Sequence, residues 1–347
     1  MHYSLRVLMC AASIALALLT SPHAIADDFY NARSVRLVVG TSAGGGADIT
    51  ARLLARHLGR HISGNPTFVI VNQPGGGGLV LANRIANAAP RDGSEIATME
   101  RAIPQLAYMG DPQVRFDPMK LTWLGSLSSY KNDAFMLLVN TEFPASTVEQ
   151  LKSAGQAVRV GASRQGSTNL SFALLAKQVM GLPVEAISGY AGTAKIALAM
   201  QTKEVDGQFI GLVSIQATQQ DMWQRKLVKP LLQLGRRERH PDLPDVPTGR
   251  ELIKDADGLA LLEFAELPFF MAQSYVAPPE IPAARAAILR AAFMRVTEDA
   301  QYVAEARKLQ IDNSPIDHKD IELLLMRARD TPKSVIDAYA KIIATNG

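Results

Sequence analysis

Cysteine is nearly missing from this 347-residue chain: the one thiol is Cys10, so no intrachain disulfide can form. An excess of one charge is missing too. The 36 basic residues stand against 33 acidic ones, a net +3 with the signs mixed along the chain. Nucleic-acid binding calls for a basic stripe, so it is not expected. Long apolar runs are scarce. The longest candidate, Val7 to Leu19, is 13 residues, whereas a membrane span needs roughly 20. What is present is ordinary globular material, 48% apolar and 20% charged, which excludes wholesale disorder. At about 100–200 residues per domain, the length points to two domains.

Residues 1–26 read as a signal peptide. His2 and Arg6 form a short polar start, the apolar run follows, and Ala24-Ile25-Ala26 offers small residues where a signal peptidase cleaves. An anchored helix is the alternative. A lipoprotein would want a small residue before its cysteine, and Met9 stands there. Cleavage after Ala26 removes Cys10 and one basic residue, Arg6, so 36 becomes 35 against 33 acidic. The exported chain must then be held by its core alone, without disulfides.

Beyond Ala26 an apolar strand, a glycine loop and an amphipathic helix follow one another twice. Val35–Val39 precedes Gly44-Gly45-Gly46-Ala47-Asp48, and Ile49, Leu53, Leu54 and Leu58 then recur at helical spacing with Arg52, Arg56 and Arg60 on another face. Thr67–Val71, Gly75–Gly78 and a helix from Leu79 to Ala89 repeat the order, and a third strand is expected at Glu95–Met99. A second unit is expected to begin near Ala134–Val139, with strands at 157–161, 184–187, 208–212 and 229–234 and helices at 170–180, 193–203 and 214–225. After Pro282 the pattern is mainly helical, with Leu323, Leu324 and Leu325 most simply facing the core and a dedicated partner surface as the alternative. Alternating strands and helices predict an α/β protein with mainly parallel sheets.

Glycine at a strand-to-helix join has a direct use. The first amides of a helix lack intrahelical acceptors and sit at the positive end of its dipole, and glycine lets an anion approach them. Tight turns or close packing explain such glycines equally well. Two loops at neighbouring strand ends favour anion binding. Neither carries a P-loop lysine or a full Gly-x-Gly-x-x-Gly frame, so no nucleotide or other cofactor is expected.

A hydrolase is the rival reading. Gly40-Thr41-Ser42-Ala43-Gly44 matches the Gly-x-Ser-x-Gly elbow, which needs an earlier loop for its oxyanion amide, yet only 13 residues separate Ala26 from Gly40. His57 and His61 could share a helix face as zinc ligands, but Leu58 replaces the glutamate of a metalloprotease and no third ligand follows. They read as solvated, and no metal is expected. Arg236-Arg237-Glu238-Arg239-His240 reads as a solvated edge, with docking of a membrane partner as the alternative.

Five segments together resemble one family. They are Val35–Asp48 with Arg52 after it, Asn72-Gln73-Pro74-Gly75-Gly76-Gly77-Gly78, Asp92-Gly93, Gly189-Tyr190-Ala191-Gly192-Thr193, and Pro241-Asp242-Leu243-Pro244-Asp245-Val246-Pro247-Thr248. In order and spacing the chain is similar to the substrate-binding proteins of tripartite tricarboxylate transporters, the TctC or Bug family. The resemblance implies a two-domain fold like type II periplasmic binding proteins, joined by two crossovers. Domain 1 would comprise residues 27–138 and 265–347, and domain 2 residues 139–264. It implies a periplasmic receptor, not an enzyme, that closes on a small organic carboxylate and delivers it to membrane subunits of a transporter. A sensory role without uptake is the alternative, and a monomer is the expected state.

Carried over by position, the first domain would grip a carboxylate through Thr41, Ser42, Ala43, Gly44, Gly45, Gly75 and Gly76. In the second, Ser163, Ser167, Thr168, Tyr190 and Thr193 would meet the other end of the solute, with Gln165 and Asn169 as further candidates. Asp48 would cap a helix, pair with Arg52, or meet a ligand ammonium. Glu100 and Arg101 depart from the small, uncharged residues common in relatives. They would pair with each other, pair with the opposite domain on closure, or face a solute of mixed polarity.

Overall fold

The apolar segments pair into two separate sheets rather than one. The computed structural model describes residues 28–163 and 167–344, so residues 1–26 with Cys10, read from the sequence as a signal peptide, and Gln165 lie outside the described residues. The first part of the chain runs β1 (Ser34–Val39), α1 (Gly46–Leu58), β2 (Thr67–Asn72), α2 (Leu79–Asn87), β3 (Glu95–Met99), α3 (Ile103–Tyr108) and β4 (Thr122–Ser126). The middle runs β5 (Phe135–Asn140), α4 (Val148–Ser153), β6 (Val158–Gly161), α5 (Thr168–Gln178), β7 (Val184–Ile187), α6 (Thr193–Gln201), β8 (Gly207–Gly211), α7 (Leu212–Thr218), α8 (Gln220–Gln224) and β9 (Val228–Leu234). The end runs α9 (Gly249–Leu252), α10 (Ala256–Phe270), β10 (Ser274–Ala277), α11 (Ala283–Glu298), α12 (Ala300–Lys308), β11 (Ile316–Asp317), α13 (His318–Arg329) and α14 (Lys333–Ala344). Among the described residues no helix is long and apolar enough to cross a membrane.

The first sheet has the order β11-β4-β10-β3-β1-β2, the second β7-β6-β8-β5-β9. Strand β1 lies between β3 and β2, both parallel to it. Val35, Leu37, Val38 and Val39 are fully buried, as expected of a strand covered on both faces. Each sheet is mixed: a strand entered from the other lobe runs against its neighbours, β10 against β3 and β4 and β5 against β8 and β9, and in the first sheet the short β11 also runs against β4. The βαβ units themselves are parallel.

Two crossovers join the lobes, side by side. Leu127 N–H donates to the Gln273 carbonyl and Ala272 N–H to that of Ser128, both at 3.0 Å. Arg236 braces the first crossover by donating to the carbonyls of Tyr130 (3.2 Å), Lys131 (2.8 Å) and Asp133. It is buried, not part of a solvated edge, because these carbonyls need a donor. Residues 264 and 265 lie inside the continuous helix α10, and α14 packs on α10 and on α5 of the second lobe. The helix expected at 214–225 is broken at Gln219, whose buried amide donates to the Thr193 carbonyl (3.2 Å) and accepts from Gln208 (2.7 Å). Leu325 is in the core, whereas Leu323 is exposed.

Candidate functional site

The carboxyl ends of β1, β2 and β3 bring the two glycine loops together. A Cβ at Gly40 would lie 3.3 Å from Gly78 Cα, so the loops touch backbone to backbone. Gly78 has φ +92°, and a Cβ there would come within 2.9 Å of the Glu100 Cβ. These glycines answer to packing and conformation. Gly46 does not: its φ lies outside the left-handed region and an added Cβ would meet nothing within 4 Å.

Asp48 holds the first loop in shape. Its carboxylate accepts from Gly44 N, Arg52 Nε and Asn72 Nδ2, each at 2.8 Å. Asn72 Nδ2 also donates to the Thr41 carbonyl at 3.0 Å, which ties β2 to the loop. The Arg52 hydrogen bond, with those from Gly44 and Asn72, holds the Asp48 carboxyl down at about 2. Asp48 is almost fully buried and braces the loop. Helix α1 has no side-chain cap at Gly45, and its first intrahelical bond runs from Ile49 N–H to the Gly45 carbonyl at 2.9 Å. The amides of Gly46, Ala47 and Asp48 therefore precede the ladder, at the positive end of the dipole.

Beside this helix start lies a cavity of about 270 Å³, walled by Thr41, Gly46, Ala47, Thr50, Gly78 and residues 98–101 of the first lobe and by residues 272–275 of the second crossover and β10. The volume suits a small solute rather than a nucleotide. Two buried oxygens in this wall, Thr41 Oγ1 and Gln273 Oε1, have no hydrogen-bond partner among the described residues. A larger groove, about 830 Å³, runs along the outer edge of β2 under Arg52, Arg56 and Arg60. Those arginines are already paired with Asp48, Glu305 and Asp299.

Of the residues singled out in the sequence, Thr41, Glu100 and Arg101 line the cavity. Ser42, Ala43, Gly44 and Gly45 are exposed on the loop beside it without lining it. Gly75 and Gly76 adopt φ of +149° and +54° and also stand off it. Glu100 and Arg101 do not pair with each other. Glu100 accepts from Ala102 N–H at 2.8 Å, and Arg101 lies over the ring of Phe269. Residues 272–275 were not anticipated: they arrive from far along the chain on the returning strand. Gly46 and Gly78 belonged to glycine runs that the sequence marks, without a sign that these members face the cavity.

The second-lobe candidates do not line this cavity. Asn169 is buried and knits its own loop, accepting from Ser163 N–H (3.2 Å) and the Ser167 hydroxyl (2.6 Å) and donating to Ser163 Oγ (3.2 Å). Ser167 precedes α5 without capping it through its side chain, and Thr168 opens that helix. The Tyr190 hydroxyl donates to Glu204 at 2.6 Å; desolvation and this carboxylate raise it to about 12. Thr193 opens α6 behind Gly192.

Among the described residues no histidine is hydrogen-bonded to Ser42. His57 and His61 face Glu305 and Asp299 respectively, each at 3.0 Å. His57 is not solvated: α12 packs over it, and its ring meets Tyr302 edge-on at 5.8 Å.

The family model of the tripartite tricarboxylate transporter family receptors, TctC, matches residues 50–339. A curated protein of Cupriavidus necator, "UPF0065 protein in gbd 5'region", is 33% identical over 150 residues, 43% of each chain. The alignment thus spans less than half of that relative. A TctC solute-binding protein from Polaromonas, solved without ligand, superposes with TM-score 0.70 at 19% identity over 89% of this chain and 99% of its own. Rpa4515 of R. palustris, solved with adipate, gives TM-score 0.58 at 22% identity over 90% and 97%. These likenesses show the fold: two α/β lobes joined by two crossovers, as in type II periplasmic binding proteins. With the family match over most of its length, this chain belongs to the tripartite tricarboxylate transporter family receptors.

Proposed function

We propose that the protein is a periplasmic receptor that captures a small organic carboxylate between its lobes and hands it to the membrane subunits of a tripartite tricarboxylate-type transporter. The observation that carries this reading is the cavity beside the start of α1, where uncapped amides, a side-chain-free Gly46 and the unpartnered Thr41 hydroxyl converge. Family membership supports it, as does adipate in a neighbour of the same fold. The chain works as a monomer, exported and cleaved after Ala26. In this reading the clamp divides at the paired crossovers, near residues 127–134 and 271–273, since 138/139 and 264/265 fall inside β5 and α10. Closure brings Ser163, Ser167, Thr168, Tyr190 and Thr193 toward the solute from the second lobe, by rotation about those crossovers.

A thermal-shift screen tests the reading. The panel holds adipate, malate, other aliphatic dicarboxylates, monocarboxylates and aromatic acids. At least one acid is expected to raise the melting temperature in a concentration-dependent way, since binding to the folded state alone stabilises it by mass action. A panel without any shift contradicts the reading.

A further inference from the structure

Arginines elsewhere in the molecule mostly have a carboxylate in reach, as Arg52 has Asp48, Arg84 has Glu95 and Arg250 has Glu266. Arg101 makes no ion pair and no side-chain hydrogen bond among the described residues. Its neighbour Glu100 is held at the start of α3 by Ala102 N–H, at 2.8 Å. The Arg101 guanidinium rests instead 4.9 Å above the ring centroid of Phe269. That ring is fixed from several sides, edge-on to Tyr130 at 4.7 Å and to Phe172 at 5.5 Å, and is 1% exposed. A ring face engages the flat of a guanidinium and leaves its in-plane N–H fork unused. Arg101 also forms part of the cavity wall, with Met99 and Ala47 beside it. It is a cation anchored on an apolar platform, lining the space proposed for the solute, with no carboxylate paired to it among the described residues.

We propose that Arg101 receives an anionic group of the solute directly, through its N–H fork, so that this cleft reads solute charge with a side chain as well as with backbone amides. The inference rests on the receptor reading above. It makes Arg101 a specificity-determining residue at the junction of the lobes, because its platform, Phe269, packs on Phe135 and Phe172 of the second lobe.

The test is calorimetric titration of the panel into wild type, Arg101→Gln, Arg101→Lys and Phe269→Leu, with melting curves confirming that each variant folds. For the tightest acid of the panel, Arg101→Gln is expected to weaken binding at least about tenfold. Arg101→Lys should lose less, since it keeps the charge without the fork. Raising ionic strength should weaken wild type more than Arg101→Gln. Arg101→Gln binding within about twofold of wild type overturns the proposal. So does Phe269→Leu losing as much as Arg101→Gln, which would make the pair a latch between lobes and not a charge reader. Failure of every acid to bind wild type would sink the receptor reading itself, a result distinct from either of these.

Discussion

Adding one methyl group at two glycines of this site should have opposite effects. At Gly78, φ is +92° and the methyl would press on Glu100. Gly78→Ala should therefore cost about 1–2 kcal/mol from the left-handed backbone alone, with the steric contact added, and urea denaturation will measure it. At Gly46 the backbone is helical and the space open, so alanine should leave the melting temperature unchanged or raise it. Gly46 lines the cavity, so the added methyl is expected to narrow it and weaken acid binding. Asp48 gives a third residue-scale expectation. Its folded carboxyl is held at about 2, below the ordinary ~3.9. The stability it confers is complete above roughly pH 4 and is lost as pH falls through about 2. The melting-temperature gap between wild type and Asp48→Asn should therefore close across that interval on acidification.

At the scale of elements, legibility followed how locally each one is determined. Strand β1 and helix α1 could be read because consecutive residues carry their own signal: a run of valines and leucines, then apolar residues at helical spacing. Helix α10 escaped because it is apolar on nearly all sides, from Leu261 through Phe270, and so shows no amphipathic period. Strand β10 is four residues long and is defined by partners far away in sequence, β3 and β4. The cavity inherits this split: its α1 side was visible in the glycines, and its β10 side was not. Arg236 was misread for the same reason. Nothing near it in sequence announces that it serves the carbonyls of residues 130, 131 and 133. Arg236→Met, which removes that donor, should destabilise the protein by about 1–3 kcal/mol or more, read as a lower urea midpoint at unchanged slope.

For the whole molecule, two adjacent crossovers join the lobes, and one buried apolar cluster runs from the first lobe into the second; closure is expected as a hinge rotation about those crossovers. The near-neutral charge that argued against nucleic acid is compatible with anion capture, because a helix start and one unneutralised arginine are local features that a net charge averages away. Location then decides function: the same residues on the outer edge of β2 would face solvent, as the paired arginines there do. The most direct test is a calorimetric titration of wild type and Gly46→Ala with whichever acid gives the largest thermal shift. The expected result is one-to-one binding to wild type and at least about tenfold weaker binding to a Gly46→Ala protein that melts no lower. Equal affinity for the two proteins would contradict a solute seated against the start of α1.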